Sequence, residues 1–257
     1  NVKTYFETLI NNENDSDYSR YIFFYLNYLI ENNKPEKAKE ITDSLDYLNS
    51  SLLISQGKKW IEDKKLNEFQ KIFSCKKTND VISELFFLVA NLYSSQDDYE
   101  RSNFYLNISN YLNPKFSFNL SLLAENYYLN ANYPKTSKII QSFDEDDEFY
   151  YWFRLKKEAQ IISKEHDDLT SLDYIMSSFE KIDNPSVKII FDVANFNKNA
   201  KKYKNAIKFY NEILLKIDVN SILYSEILYR RGSSFERMGD YKNSDKDLLR
   251  SLEINPD

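Results

Sequence analysis

A pattern that repeats about every 34 residues constrains this sequence more than any other feature. In each copy, apolar and small residues recur at three- and four-residue steps on both sides of a short polar stretch. This spacing predicts two helices joined by a turn. The first residue after each turn serves as an anchor, and the anchors are Pro35, Leu66, Tyr99, Tyr133, Leu169, Tyr203 and Tyr241. The sequence therefore predicts about seven helical hairpins in tandem.

The composition excludes several classes of protein. Three glycines and five prolines in 257 residues are too few for a β-sandwich or barrel with many tight turns. No glycine-rich phosphate loop can be assembled from Gly57, Gly232 and Gly239. A single cysteine and a single histidine exclude a disulfide within the chain and the common zinc sites. The prediction is therefore no catalytic residue, no cofactor and no metal.

Several single residues have side chains that could act in catalysis, but each has a simpler structural explanation. His166 aligns with a turn between helices, and no nucleophile is identifiable nearby. Cys75 is followed by two lysines that would lower the pKa of its thiol, but no histidine accompanies it in a catalytic motif. Trp60 and Trp152 occur at helical spacing with other apolar residues, which predicts packing roles. The acidic run 144–148 fits a solvated helix start.

The last copy of the pattern is the clearest. Gly232 lies in its first helix, Gly239-Asp240-Tyr241 forms its turn, Ser244 and Ser251 lie in its second helix, and Pro256 follows that helix. These residues resemble the tetratricopeptide repeat family. The resemblance implies an all-α, right-handed superhelical solenoid of about seven helix-turn-helix hairpins, in which each hairpin buries its apolar face against its neighbours.

The domain prediction follows from this fold. Residues 1–16 are expected to form a lone helix from a preceding half-repeat and a polar loop, and residues 17–257 the solenoid. The final copy is followed at once by Asp257, without the polar capping helix that solenoid ends normally need. We therefore expect a fragment of a longer solenoid, or one that is completed by a partner.

In this family the first helix of each hairpin lines a concave groove, so the resemblance implies a binding site there. Its groove positions carry a Phe-Asn pair three times, and such a pair can offer an apolar pocket and a hydrogen-bonding amide to a peptide. The alternative is background, since asparagine is abundant throughout the chain. The predicted groove residues are Phe23, Asn27, Phe87, Asn91, Phe118, Tyr128, Phe191, Asn195 and Tyr229.

The predicted function is a non-catalytic scaffold or adaptor that binds a peptide or helix of a partner protein. The stretch Ile222–Asp257 also looks like long tetratricopeptide proteins of Gram-negative bacteria, especially alphaproteobacteria. That resemblance implies a periplasmic or outer-membrane-attached location and a possible role as substrate adaptor in an envelope protease complex. The residues themselves do not decide between this compartment and the cytoplasm.

Single-stranded RNA binding is a further alternative, because lysines are interleaved with aromatic residues near 198–204. The net charge of −6 makes nucleic acid the less favoured partner. The longest apolar run, 21–30, is about half a membrane span, so no transmembrane segment is predicted.

Overall fold

A computed structural model describes residues 19–45, 51–143 and 145–256. These residues form fourteen α-helices and no strand. The helices are α1 (Ser19–Glu31), α2 (Pro35–Ser44), α3 (Leu52–Glu62), α4 (Asn67–Ile72), α5 (Thr78–Ser94), α6 (Tyr99–Leu112), α7 (Phe118–Leu129), α8 (Tyr133–Ile140), α9 (Glu148–Glu165), α10 (Asp168–Phe179), α11 (Val187–Asn199), α12 (Tyr203–Leu214), α13 (Ile222–Arg237) and α14 (Tyr241–Ile254). They pair in chain order into seven hairpins, from hairpin 1 (α1 and α2) to hairpin 7 (α13 and α14).

The prediction of an all-α chain of seven hairpins is confirmed. The second helix begins at the predicted anchor in five hairpins and within one residue of it in the other two. The lone helix expected in residues 1–16 lies outside the described residues.

Six of the seven turns share one conformation. In each, the residue two positions before the anchor is left-handed, as at Ala131, where φ is 53°. The following amide then donates to a carbonyl five residues earlier, as Asn132 N does to Tyr127 O at 2.8 Å. This is the Schellman arrangement that ends many helices. Only hairpin 7 has a glycine at the left-handed position, Gly239 with φ 79°, which accounts for the scarcity of glycine in the chain.

Small side chains let the two helices of a hairpin approach closely. Ala90, Ala124 and Ala194 have no exposed surface. At the corresponding position of hairpin 7, a Cβ on Gly232 would lie 3.1 Å from Leu248 Cγ, so the approach there is closer still.

The chain divides into two compact units at Tyr151 and Trp152. In unit 1, fully buried aromatic and aliphatic side chains of α1, α3 and α4 form the largest core, which includes Phe23 and Phe69. In unit 2, the core between α11, α12 and α13 is centred on Ile190, Tyr210 and Ile227. The predicted packing roles of both tryptophans are confirmed, because Trp60 packs on the first core and Trp152 is buried in unit 2.

Candidate functional site

Three of the nine predicted groove residues are core residues. Phe23 has no exposed surface, and Asn27 and Phe87 are each 4% exposed. Asn27 Nδ2 donates to the carbonyl oxygen of Phe73 at 3.0 Å, so the amide group holds a loop instead of facing solvent.

The burial of the phenylalanines has a common cause. Each one packs against rings of other helices. Phe23 stacks on Phe69 with ring centroids 5.3 Å apart, and Phe87 lies 6.0 Å from Phe118. In this aromatic-rich chain the predicted groove position therefore packs against other helices of the array.

The remaining predicted residues are partly or fully accessible. Asn91 and Tyr229 are exposed, whereas Phe118, Tyr128, Phe191 and Asn195 are half-buried. The structure brings Phe118 together with Phe87, and it joins Phe191 and Asn195 through a shared arginine neighbour, Arg230. Their role in binding a partner remains a prediction.

Arg20 organises the interior of unit 1. Its Nε lies 2.8 and 2.9 Å from the two carboxylate oxygens of Glu84, and its Nη2 lies 2.5 Å from one of them. Nη2 also donates to Asn119 Oδ1 at 3.1 Å. The guanidinium carbon is 3.4 Å from the centre of the Phe87 ring and 4.6 Å from that of Phe116. A buried cation thus joins α1, α5 and α7, with its charge balanced by a carboxylate and its faces covered by aromatic rings.

The face of α5 opposite its buried residues is apolar and exposed. Val81, Leu85, Leu88 and Leu92 follow one another at steps of four, three and four residues, and their exposed fractions are 45, 59, 39 and 59%. We call these four residues the α5 stripe. At 1.5 Å per residue the α5 stripe is about 16 Å long. Contiguous exposed apolar surface of this kind typically marks a protein interaction site.

The residues of the α5 stripe do not lie at the groove positions of the first helix, so they are not among the predicted binding residues. A signal was present, since residues 81–94 contain one charged residue, Glu84. A helix that is apolar on both faces must bury both or leave one for a partner.

Polar side chains of α9, α11 and α13, the first helices of the hairpins in unit 2, form a row, which includes Lys156, Asp192, Asn195, Lys198 and Arg230. Trp152 Nε1 donates to Asp192 Oδ2 at 2.9 Å, and Lys156 Nζ lies 3.4 Å from the same oxygen. Further along, Asn195 Oδ1 accepts a hydrogen bond from Tyr210 at 2.9 Å and lies 3.5 Å from Arg230 Nη1. These contacts pair most of the polar groups of the row with one another.

Lys198 differs from the rest of this row. Burial, and then the positive charges of Arg230 and Arg237, lower the pKa of its ammonium group. The site is therefore electropositive, and the guanidinium carbon of Arg230 lies 4.8 Å from the centre of the Phe191 ring.

The lysines beside Cys75 do not lower the pKa of its thiol. Burial, and then the charges of Glu31 and Asp80, raise that pKa. The side chain is exposed and protonated at neutral pH, which gives a weak nucleophile.

In the part of the chain that the structure describes, no group of three or more His, Cys, Asp or Glu side chains is placed to hold a metal ion. Within the same residues, no helix combines the length and the apolar character needed to cross a membrane. His166 lies exposed between α9 and α10, as its place in the pattern predicted.

Several solved structures resemble the chain in part. One is YrrB, described as a TPR protein with an unusual peptide-binding site, which is 14% identical over 67% of this chain and 86% of its own, with a TM-score of 0.42. Another is the Cut9–Hcn1 hetero-tetramer of the APC/C, at 14% identity over 94% of this chain and 56% of that chain, with a TM-score of 0.48. The quorum sensor NprR from B. thuringiensis is 12% identical over 98% of this chain and 91% of its own, with a TM-score of 0.40. All three TM-scores lie below 0.5, so the likeness is limited.

No curated protein matches the sequence. Residues 225–257, which cover most of hairpin 7, match the family model described as tetratricopeptide repeat. The same helix spacing and, in five further hairpins, the same turn recur upstream of the matched residues. Residues 225–257 therefore carry a tetratricopeptide repeat, and the hairpins upstream share its helix spacing.

Proposed function

We propose that this protein is a non-catalytic scaffold that binds an apolar segment of a partner protein along the α5 stripe. The observation that carries the proposal is the exposure of four aliphatic side chains on one face of a helix whose other face is buried. Helical-repeat hairpins hold such a face rigidly, because each hairpin packs on its neighbours.

The chemistry of the α5 stripe defines the kind of partner that fits it. The four side chains are aliphatic and uncharged, so a complementary surface is the apolar face of an amphipathic helix. Asn91, one of the predicted groove residues, is exposed on the same helix at the flank of the stripe. Its amide group is available to donate to a partner carbonyl and accept from a partner amide.

Replacement of two stripe residues with aspartate tests the proposal. Leu85→Asp and Leu92→Asp place a charge on a surface that the partner must desolvate, so each should weaken binding at least about tenfold, or about 1.4 kcal/mol. Because both side chains are 59% exposed, the substitutions should leave the fold intact. Leu215→Asp is the matched control, since Leu215 is an exposed leucine outside α5.

The partner can be identified by a photo-crosslinking amino acid at position 88 in cells of the source organism, with the same amino acid at position 215 as control. Binding of the purified partner is then measured by calorimetry. A crosslink specific to position 88, and weaker binding by the two stripe variants, are the expected results. Identical crosslinks at both positions, or equal affinity of Leu85→Asp and Leu215→Asp, would exclude the α5 stripe as the binding site.

A further inference from the structure

The turn of hairpin 6 and the helix that follows it carry a concentration of lysine. Residues 193–211 contain five lysines and no aspartate or glutamate, although the whole chain has a net charge of −6. The lysines are Lys198, Lys201, Lys202, Lys204 and Lys208. They begin near the end of α11 and continue into α12. The local charge of hairpin 6 is therefore opposite to that of the whole protein.

The residue directly before the second helix is an aspartate or an asparagine in four other hairpins. The side chains of Asp98, Asn132, Asp167 and Asp240 each accept a hydrogen bond from a backbone amide in the first turn of that helix. Hairpin 6 has Lys202 at this position, and its side chain makes no such bond. A turn that is negatively charged in three of these hairpins is thus positively charged here.

Other cations of unit 2 are neutralised by neighbouring carboxylates. Arg231 Nε lies 2.6 Å from Asp247 Oδ2, and Lys216 Nζ lies 2.8 Å from Glu212 Oε1. By contrast, none of the five lysines forms an ion pair with the described residues. Their charge is therefore available to a partner.

The positive surface extends from hairpin 6 to hairpin 7. The charges of Arg230 and Arg237, which both lie on α13, reach Lys198 on α11. Arg230 is paired with Glu226 at 2.7 Å, whereas Arg237 is exposed and has no ion pair among the residues that the structure describes. Two hairpins thus contribute unneutralised cations to one surface.

An open cavity of about 320 Å³ lies beside these cations. It is lined by Lys201, Lys202, Tyr203, Lys204, Asn205 and Met238. We call these six residues, together with Lys198 and Arg237, the basic patch. Met238 directly follows α13 and is 50% exposed, so it places an apolar side chain among the ammonium groups.

We propose that the basic patch binds a segment of a partner protein that is rich in aspartate and glutamate and carries one apolar side chain among them. The carboxylates pair with the ammonium groups of Lys201, Lys202 and Lys204, and the apolar side chain covers Met238. Charge complementarity of this kind speeds association and discriminates between partners.

The lining of the cavity favours an acidic protein segment over single-stranded RNA. Tyr203 is the one aromatic residue among the six that line the cavity, whereas sites for single-stranded nucleic acid stack successive bases on several aromatic side chains. The basic patch lies in unit 2 and the α5 stripe in unit 1. Either proposal can therefore fail without the other.

The probe is a synthetic peptide of about eight alternating aspartates and glutamates with one central leucine. It is labelled with tetramethylrhodamine at its N-terminus and amidated at its C-terminus, so that its negative charge resides on side chains alone. The full chain is titrated into it at about 100 mM NaCl and followed by fluorescence anisotropy. We expect saturable binding with a Kd of about 10–100 µM, because each exposed ion pair contributes little.

Salt and the central leucine test the two parts of the proposed contact. At about 300 mM NaCl the Kd should rise at least about fivefold, since salt screens exposed charges. Replacement of the central leucine of the peptide with asparagine should raise the Kd about threefold, because the apolar contact with Met238 is lost.

A pair of charge-matched variants places the binding on the basic patch. The double variant Lys201→Glu/Lys204→Glu should raise the Kd of the peptide at least about tenfold, because it replaces two attractions with two repulsions. The control is Lys115→Glu/Lys181→Glu, which makes the same change in net charge at exposed lysines in loops between hairpins. It should raise the Kd less than about threefold. Circular dichroism shows whether both variants keep the native helix content.

Absence of saturation at about 1 mM protein, or an equal loss of affinity in the two double variants, would overturn the proposal. An oligouridine with the same label and the same number of negative charges is titrated in parallel and should bind at least about fivefold more weakly than the peptide. If the oligouridine binds more tightly than the peptide, and Lys201→Glu/Lys204→Glu abolishes that binding, the occupant of the basic patch is RNA and not an acidic protein segment.

Discussion

The buried pair of Arg20 and Glu84 allows a quantitative test of how unit 1 is stabilised. The side chains are 8 and 14% exposed, so removal of one partner leaves the other charge largely without water. The loss of one member of a buried ion pair typically costs about 3–5 kcal/mol, and contact of the cation with an aromatic face adds about 1–2. We expect Glu84→Leu to lower the free energy of unfolding by about 3–5 kcal/mol, and Arg20→Met, which also loses the aromatic contacts, by about 4–7 kcal/mol.

The double variant should lose much less than the sum. With both charges replaced by apolar groups, no uncompensated charge remains, so the coupling energy should be about 2–3 kcal/mol. Trp60 reports on this region because its ring lies 6.4 Å from Phe23, whose ring is 6.0 Å from that of Phe116.

The measurement is urea unfolding followed by tryptophan fluorescence. The chain has two tryptophans, so a Trp152→Phe background leaves Trp60 as the only reporter. The parent protein, the two single variants and the double variant all carry Trp152→Phe, so the effect of this substitution on the free energy of unfolding cancels. Single variants that each lose less than about 1 kcal/mol, or a double variant that loses the full sum, would refute the view that this pair is a coupled buried unit.

Three further predictions concern the turns, the core and the thiol. Ala131→Gly should raise the free energy of unfolding by about 0.5–1 kcal/mol, since an L-residue is strained in the left-handed conformation. Ala124→Gly, within α7, should lower the free energy of unfolding. Urea titrations of the two variants measure both effects. Phe87→Ala should lower stability by about 3–5 kcal/mol because the ring is buried, whereas Phe104→Ala, at a 62% exposed ring, should change it by less than about 1, with thermal unfolding as the measurement. The raised pKa of Cys75 favours the thiol over the thiolate, so iodoacetamide should react with the native protein more slowly than with the urea-unfolded chain at pH 8 to 9; faster reaction of the native protein would contradict this.

The order of the hairpins could be predicted from the sequence because its causes are local. A tyrosine begins the second helix at Tyr99, Tyr133, Tyr203 and Tyr241, directly after a turn that is closed within a few residues. Small residues at fixed distances from these tyrosines mark where the helices approach. Each of these signals lies within one period of about 34 residues, so it can be read without knowing the tertiary contacts.

The faces of the first helices could not be assigned in the same way. Whether Phe23 lines a groove depends on Phe116, a residue in the loop between α6 and α7. Whether a glutamate at position 84 is solvated depends on Arg20, 64 residues earlier. With 18 phenylalanines and 21 tyrosines in the chain, many alternative partners are available to each ring. The position of a residue within the repeat gives the angle of its side chain around the helix. It does not show which neighbouring side chain covers it.

The shared turn has a consequence for how the protein folds. The amide and carbonyl that close a turn are five residues apart, as at Asp240 and Phe235, so ordering a turn requires the closure of only a very short loop. Low contact order of this kind favours rapid folding. Six hairpins carry such a closure, and each can therefore begin to form as soon as its own residues have left the ribosome, before the next hairpin has been synthesised.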